Sequence, residues 1–423
     1  MDLQTAKGVR DIPPEEKKVK NQIVSTLTEV FELYGFAPLE TPMLERYDTL
    51  AAKFAAGEDS DALKETFKLK DQGDRELGLR FDLTVPLARF MAMNPNLKMP
   101  FKRYEIGRVF RDGPIKLGRY REFWQCDIDT IGSASMLAEA ELLAVVQAAF
   151  QKMDLEVVIK VNNRKLLNGL LIQTGISSEA IVVLDKLDKI GESGVIAELR
   201  QKGFPEKKCK EILVLLNSNI SLAALKNKVS NAEGQQGVAE LEELFSYLKL
   251  LKVKAVFTPS LARGLAYYTG MVYEAFDKKG RISSSLAAGG RWDGMIAQFM
   301  GRNEVVPAVG VAFGLEPIMD LMKVQQKIAS SRSTAQVYVL PINTIAESLE
   351  LVQQLRAEGI KADFCLGKKG VSKNLEYASV LGIPYVLILG EDELKKKKVL
   401  LRDMSSGTEQ LLTIEKVVQK LRG

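Results

Sequence analysis

Histidine is absent from all 423 residues. Ser-His-Asp and Cys-His catalysis, HExxH zinc sites and imidazole proton shuttles are thereby excluded. Any chemistry must run on Arg, Lys, Asp, Glu, Tyr and bound ions. Cysteine is scarce: Cys126, Cys209 and Cys365 stand far apart without C-x-x-C spacing, so neither a disulfide framework nor a zinc knuckle is expected. No apolar run reaches the ~18 residues that a membrane-spanning helix needs. Residues 1–14 are charged and proline-containing, unlike a secretory leader, and a cytosolic protein is the expectation. A strong charge imbalance is missing too. The 59 basic and 54 acidic residues leave +5, which permits a polyanionic partner without requiring one.

What is present describes a globular, multidomain chain. Apolar residues make up 46% and charged residues 27%, ordinary values for packed domains, and the length suits two to four folding units. Val19, Ile23, Leu27, Val30 and Phe31 form a helical stripe that stops before Gly35. Residues 36–40 read as a short strand. Residues 67–69 and 76–81 read as a hairpin around the Asp71-Gln-Gly-Asp74 turn, and 101–110 with 120–131 as a second hairpin. A helix over 135–153 and a strand over 157–161 follow. The fold class expected is therefore α+β, a largely antiparallel sheet with helices. Residues 165–251 carry Leu, Lys, Glu and Ala at helical spacing and read as a helical insertion. After a polar linker near 325–334, strand and helix patterns alternate over 336–389, which predicts a small α/β domain with a mainly parallel sheet. The division expected is 1–330 and 335–423.

Three stretches could carry chemistry. Arg103, Arg108, Arg111, Arg119 and Arg121 crowd the second hairpin, beside Gln125, Asp127 and Asp129. Guanidinium forks on a rigid ribbon can grip phosphate oxygens in pairs; a solvated charged ribbon is the other reading. The run Arg263-Gly-Leu-Ala-Tyr-Tyr268 and the string Ala287-Ala-Gly-Gly-Arg-Trp292 combine rings, hydroxyls and glycines, marking either bulges or a backbone that a ligand approaches closely. Residues 310–316 look like a glycine-bounded strand entering a helix, with Pro317 in its first turn.

Together these stretches resemble the histidyl-tRNA synthetase family of class II aminoacyl-tRNA synthetases. Lys7-Gly-Val-Arg-Asp11 resembles its opening, and residues 34–42 its motif 1, which implies a homodimer. Residues 108–111 and 118–125 resemble motif 2, residues 310–316 motif 3, and residues 263–268 the histidine signature. Residues from 336 onward resemble the family's anticodon-binding domain. The resemblance implies a class II antiparallel catalytic domain and the ligation of histidine to tRNA(His) in the cytoplasm, with ATP as substrate, Mg2+ as cofactor and no membrane partner. It implies that Asp82 and Thr84 hold the α-amino group, that Gln125 and Asp129 line the amino-acid pocket, and that Tyr267 and Tyr268 close it. Arg111 would grip the α-phosphate and the carboxylate, and Arg263 would be the catalytic cation. Arg119, Arg121 and Glu316 join Arg111 on the ATP side, and Glu122 and Glu316 are the candidate magnesium ligands.

The sequence departs from the pattern at Pro317, where motif 3 ordinarily has arginine, and at Ala266, where the signature ordinarily has an acid. A histidine-binding regulatory paralogue, such as the synthetase-like subunit of ATP phosphoribosyltransferase, shares the catalytic core. It typically lacks the anticodon domain. With no imidazole on the protein, a titration near pH 6–7 is expected to belong to the substrate's ring, with a perturbed Asp129 or Asp82 as the competing source.

Overall fold

The computed structural model describes residues 3–52, 64–115, 120–217, 219–263, 267–326, 331–367 and 370–422. The chain divides into two compact units, Met1–Arg10 with Gln22–Gln325, and Asp11–Asn21 with Gln326–Gly423.

The first unit is built on eleven strands: β1 (Ala37–Pro38), β2 (Leu44–Arg46), β3 (Lys68–Lys70), β4 (Glu76–Leu79), β5 (Phe101–Phe110), β6 (Glu122–Ile131), β7 (Val157–Asn163), β8 (Ala255–Phe257), β9 (Met271–Asp277), β10 (Ala287–Arg291) and β11 (Ala308–Gly314). Eight form one sheet in the order β1-β5-β6-β11-β10-β9-β7-β8. Its inner pairings are antiparallel, and only the edge pairs β1–β5 and β7–β8 are parallel. The strand expected over 36–40 shrinks to Ala37–Pro38, because Pro38 has no amide to extend the ladder.

Period-two alternation gives this sheet two unlike faces. On one, Phe313 meets Phe31 and Phe150 at centroid distances of 5.5 and 5.7 Å, bringing helices Pro14–Leu33 and Leu137–Lys152 onto the sheet. The same face buries an ion pair in which Arg291 donates to both oxygens of Glu139, at 2.6 and 2.8 Å. The other face carries Arg103 and Glu105 from β5, Gln125, Asp127 and Asp129 from β6, and only Gly310, Ala312 and Gly314 from β11, as the register requires. Small residues there leave room above the sheet.

The hairpin expected near residues 67–81 is β3–β4, with Lys70 opposite Glu76. Its turn is held by the Asp71 carboxylate, which accepts from the amides of Gly73 and Arg75. Sequence reading missed β2, which completes a three-stranded sheet by pairing with β4. Between β7 and β8 the elements are helical, from Arg164–Thr174 to Ala232–Leu250. These helices pack closely enough that a Cβ on Gly237 would lie 2.3 Å from the Leu166 amide nitrogen.

The second unit holds β12 (Val337–Pro341), β13 (Ala362–Phe364), β14 (Tyr385–Leu389), β15 (Val399–Asp403) and β16 (Glu409–Leu412), ordered β13-β12-β14-β15-β16. Both sheet faces are buried. Val337 and Val339 pack on one side with Leu351, Leu355 and Val417, while Tyr338 and Leu340 pack on the other with Ala378. The expectation of a mainly parallel sheet is corrected here: β12–β13 and β12–β14 are parallel, but β14–β15 and β15–β16 are antiparallel. The added strands lie beyond residue 389. They close through a tight turn in which the Asp403 carboxylate accepts from the Ser405 and Ser406 amides, so no crossover helix is needed.

Beneath the open face of the large sheet, Arg80 donates to Glu105 at 2.7 Å and to the Thr41 carbonyl at 2.7 Å, with both charged side chains almost fully buried. Removing one member of such a pair strands a buried charge and costs about 3–5 kcal/mol. Arg80→Leu should accordingly lower the unfolding free energy of the first unit, read from chemical denaturation, by that order, whereas Arg46→Leu, from the exposed pair with Asp48, should leave it nearly unchanged.

Candidate active site

The open face of the large sheet holds a cavity of about 510 Å³, lined among others by Asp82, Thr84, Arg111, Gln125, Asp127, Asp129, Arg263, Tyr267, Tyr268 and Trp292. Its depth comes from glycine. A Cβ on Gly310 would sit 1.9 Å from Asp129 Oδ1, and one on Gly290 would meet the Tyr268 ring at 2.8 Å. Any side chain at either position would displace a wall.

Asp129 is anchored from below. Its Oδ2 lies 2.8 Å from Arg103 Nη2, and Arg103, fully buried, lies 3.6 Å from Glu105 through its other terminal nitrogen. Burial outweighs the pull of Arg103 and of the Trp292 hydrogen bond, and the Asp129 carboxyl is pushed up to about 6. The competing source expected in Asp129 therefore falls in the same pH range as the substrate's ring.

Asp82 precedes the helix Thr84–Met93, and its Oδ1 accepts the Val85 amide at 3.0 Å, fixing the carboxylate at the start of that helix. Gln125 points its Oε1 into the cavity region, buried and without a protein hydrogen-bond partner. Arg111 donates from Nε to the Phe81 carbonyl at 3.1 Å and lies over the Phe123 ring. Across the cavity, Arg263 pairs with Glu274 at 2.6 Å and stacks 5.7 Å from the centre of the Tyr268 ring. Burial disfavours its charge, but the Tyr268 oxygen and Glu274 more than offset this and hold its pKa above the ordinary arginine value. The rings of Tyr267 and Tyr268 lie 4.6 Å apart, and burial raises both hydroxyl pKa values, so both remain donors.

The hairpin arginines do not act as one group. Arg103 is buried under Asp129, Arg111 borders the cavity, and Arg108 lies on the opposite strand face against Trp124, paired with Glu122 at 3.0 Å. Arg121 is held by Asp112 at 2.8 Å and is not among the cavity-lining residues. Arg119 and Ala266 lie outside the described residues. The two candidate magnesium ligands both have protein partners. Glu122 is engaged by Arg108, and the buried Glu316 carboxylate accepts the Trp124 amide at 3.1 Å. Among the described residues no cluster of three or more His, Cys, Asp or Glu side chains suited to a metal ion occurs.

Sequence reading named Asp127 and Trp292 within candidate stretches but gave neither a role in the pocket, and both line the cavity. Alternation from Gln125 to Asp129 puts Asp127 on their face, and this signal was available without the structure.

The histidyl-tRNA synthetase family model matches residues 8–318, and an anticodon binding domain model matches residues 336–423. The chain belongs to the histidyl-tRNA synthetase family. It is 44% identical over 418 residues to histidine–tRNA ligase 1 of Bacillus cereus, covering 97% of each chain. The crystal structure of histidyl-tRNA synthetase from Nostoc sp. superposes with a TM-score of 0.86 at 30% identity, covering 100% of this chain and 99% of that one. An ATP phosphoribosyltransferase regulatory subunit/histidyl-tRNA synthetase from Bacillus halodurans superposes at 0.73 with 23% identity, over 89% and 97%. That likeness concerns the fold alone. The anticodon-domain match and the ligase relatives leave the regulatory-paralogue reading unfavoured.

The raised Asp129 carboxyl has a consequence for stability. An unfolded Asp loses its proton near 3.8 and the native one near 6, so between those values the native state binds more protons and stability falls as pH rises. The stability of wild type relative to Asp129→Asn should therefore drop by roughly 2–3 kcal/mol between pH 4 and pH 7 and level off above. Denaturant titrations at several pH values check this; a constant difference would refute the raised value.

Proposed function

We propose that this protein is a histidine–tRNA ligase, joining the carboxylate of histidine to the α-phosphorus of ATP with loss of diphosphate, then passing the acyl group to the 3′ end of tRNA(His). The observation that carries the reading is 44% identity, over 97% of the chain, to a histidine–tRNA ligase together with a cavity whose walls combine Arg111, Arg263, Asp129 and two tyrosines.

The first step suits a protein without histidine. The attacking carboxylate is already ionised at neutral pH, so no general base is required. What is required is positioning of two anions and neutralisation of charge developing at phosphorus, which guanidinium groups supply. We assign Arg111 to the carboxylate and α-phosphate, and Arg263, braced by Glu274, to the developing charge. Asp82 and Thr84 receive the α-ammonium, Gln125 presents an acceptor beside it, and Asp129 accepts from the ring while Tyr267 and Tyr268 close over it. On the nucleotide side we assign Arg111, with Arg119, Arg121 and Glu316 joining it on the family resemblance alone. Magnesium is assigned as an ion that arrives with ATP and is held mainly by its phosphates.

The second unit is assigned to anticodon binding on its family match. A homodimer is supported by Met43, Leu44 and Leu69, large apolar side chains left exposed on or beside the three-stranded sheet, which a second copy would cover. Among the described residues no single helix is long and apolar enough to cross a membrane. We place the reaction in the cytoplasm, where tRNA charging is needed.

The test is amino-acid-dependent ATP–diphosphate exchange. Histidine alone of the twenty amino acids should support it. Arg263→Ala should reduce it by about 10²–10³-fold with the protein still folded, as loss of an oriented donor to a developing anion does. Exchange within tenfold of wild type in a folded Arg263→Ala protein would remove Arg263 from its assigned role.

A further inference from the structure

Residues 258–263 follow β8 and belong to no helix or strand, so the main chain that carries Arg263 must be fixed from elsewhere. The end of β7 does this. The Thr258 amide donates to the Val161 carbonyl at 2.9 Å. Asn162, 1% exposed, donates through Nδ2 to the carbonyls of both Pro259 and Leu261, each at 2.9 Å. Two residues further on, Arg164 donates from Nη1 to the carbonyl of Arg263 itself at 3.1 Å. Alternation along extended backbone brings residues 162 and 164 to one side, and the hydrogen bonds advance in step along both segments.

Arg164 is itself well anchored. It stands where β7 gives way to the helix Arg164–Thr174, its amide donates to the Gly270 carbonyl at 2.8 Å, and the Asn163 side chain caps the helix by accepting the Lys165 amide at 2.8 Å. The side chain is half-buried, and burial holds its pKa below the ordinary arginine value while Asp185, in the helical insertion, pulls the other way. Arg164 is not among the cavity-lining residues. Arg263 is therefore located from both ends, its guanidinium by Glu274 at 2.6 Å and its main chain by Arg164.

We propose that Arg164 is a positioning residue for the ligation: by holding the main chain of Arg263 it sets where the Arg263 guanidinium meets the charge developing at phosphorus. The inference rests on the role assigned to Arg263 and extends it to a residue that touches no reactant. An interaction made only in the transition state shows in kcat rather than in ground-state binding. A misplacement of about 1 Å costs about a hundredfold in rate.

The experiment measures ATP–diphosphate exchange with full-length Arg164→Met, Arg263→Ala and the double variant. Arg164→Met removes the donor and keeps an apolar stem. Its kcat should fall by about 10–100-fold, with KM for histidine and for ATP within about threefold of wild type. Beside Arg263→Ala the same substitution should cost less than about twofold, because the main chain it holds no longer carries a guanidinium. A purely structural role would lower the folded fraction and so multiply in both backgrounds, since the carbonyl of residue 263 is present in each. Arg164→Lys, whose ammonium sits on a shorter arm, should lose about three- to tenfold in kcat, again without effect beside Arg263→Ala. This variant gives the answer if Arg164→Met does not fold. An unchanged kcat in Arg164→Met, or in Arg164→Lys where that alone folds, would overturn the proposal, as would a rise in KM matching the loss of kcat or an undiminished effect beside Arg263→Ala. Wild type without histidine-dependent exchange, or Arg263→Ala within tenfold of wild type, would instead refute the reading on which the proposal rests.

Discussion

The site depends on a buried chain of charges, Arg80 to Glu105 to Arg103 to Asp129, lying on the open face of the large sheet. Each link compensates a charge that burial alone would neutralise or expel. Arg80 reaches Glu105 across β5 only because residue 107 is glycine: a Cβ there would lie 2.2 Å from its Nη2. Arg103 in turn fixes the carboxylate of Asp129 at the cavity floor. The carboxylate at the cavity floor is thus the last member of a network whose first member is anchored on Thr41, in the segment leading into β2.

The same sheet achieves packing and binding by assigning them to opposite faces. Phe313 and Arg291 point toward the helices, and Gly310, Ala312 and Gly290 point away. A uniform pattern of medium-sized residues would fill both sides and leave no cavity. Glycine in a strand interior weakens the strand. Here that weakness is tolerated in central strands, each with neighbours on both sides, and the space gained is bounded by Tyr268 and Asp129.

Much of this was legible in the residues. The β5–β6 hairpin announced itself through alternation and a glycine-containing loop, and the glycine strings correctly marked close backbone approach. The arginines were harder to read. Five of them within one hairpin suggest a single phosphate clamp, but strand alternation sends Arg103 and Arg108 to opposite faces, and depth along the strand separates Arg111 from both. Glu122 and Glu316 suffered the same ambiguity, since an acid in a motif reads as a ligand until its hydrogen-bond partner is known. Asp127 was passed over although its position between Gln125 and Asp129 determines its face. The antiparallel strands β15 and β16 went unread because the apolar run of β15 is only three residues long, Val399 to Leu401, and half of β16 is exposed.

A protein with no histidine that selects histidine must read the imidazole with carboxyls and hydroxyls. Those groups are poor complements in water, where a carboxylate offers only acceptors. Burial changes their chemistry. By raising carboxyl pKa values it brings Asp129 into the pH range of an imidazole ring, and it keeps the tyrosine hydroxyls protonated as donors. The low dielectric that makes the Arg80–Asp129 network necessary for folding is therefore also the source of the site's mixed donor and acceptor character. Relieving the buried charges with apolar residues could stabilise the sheet, but it would remove the acceptor and with it the means of telling an imidazole from any other flat ring.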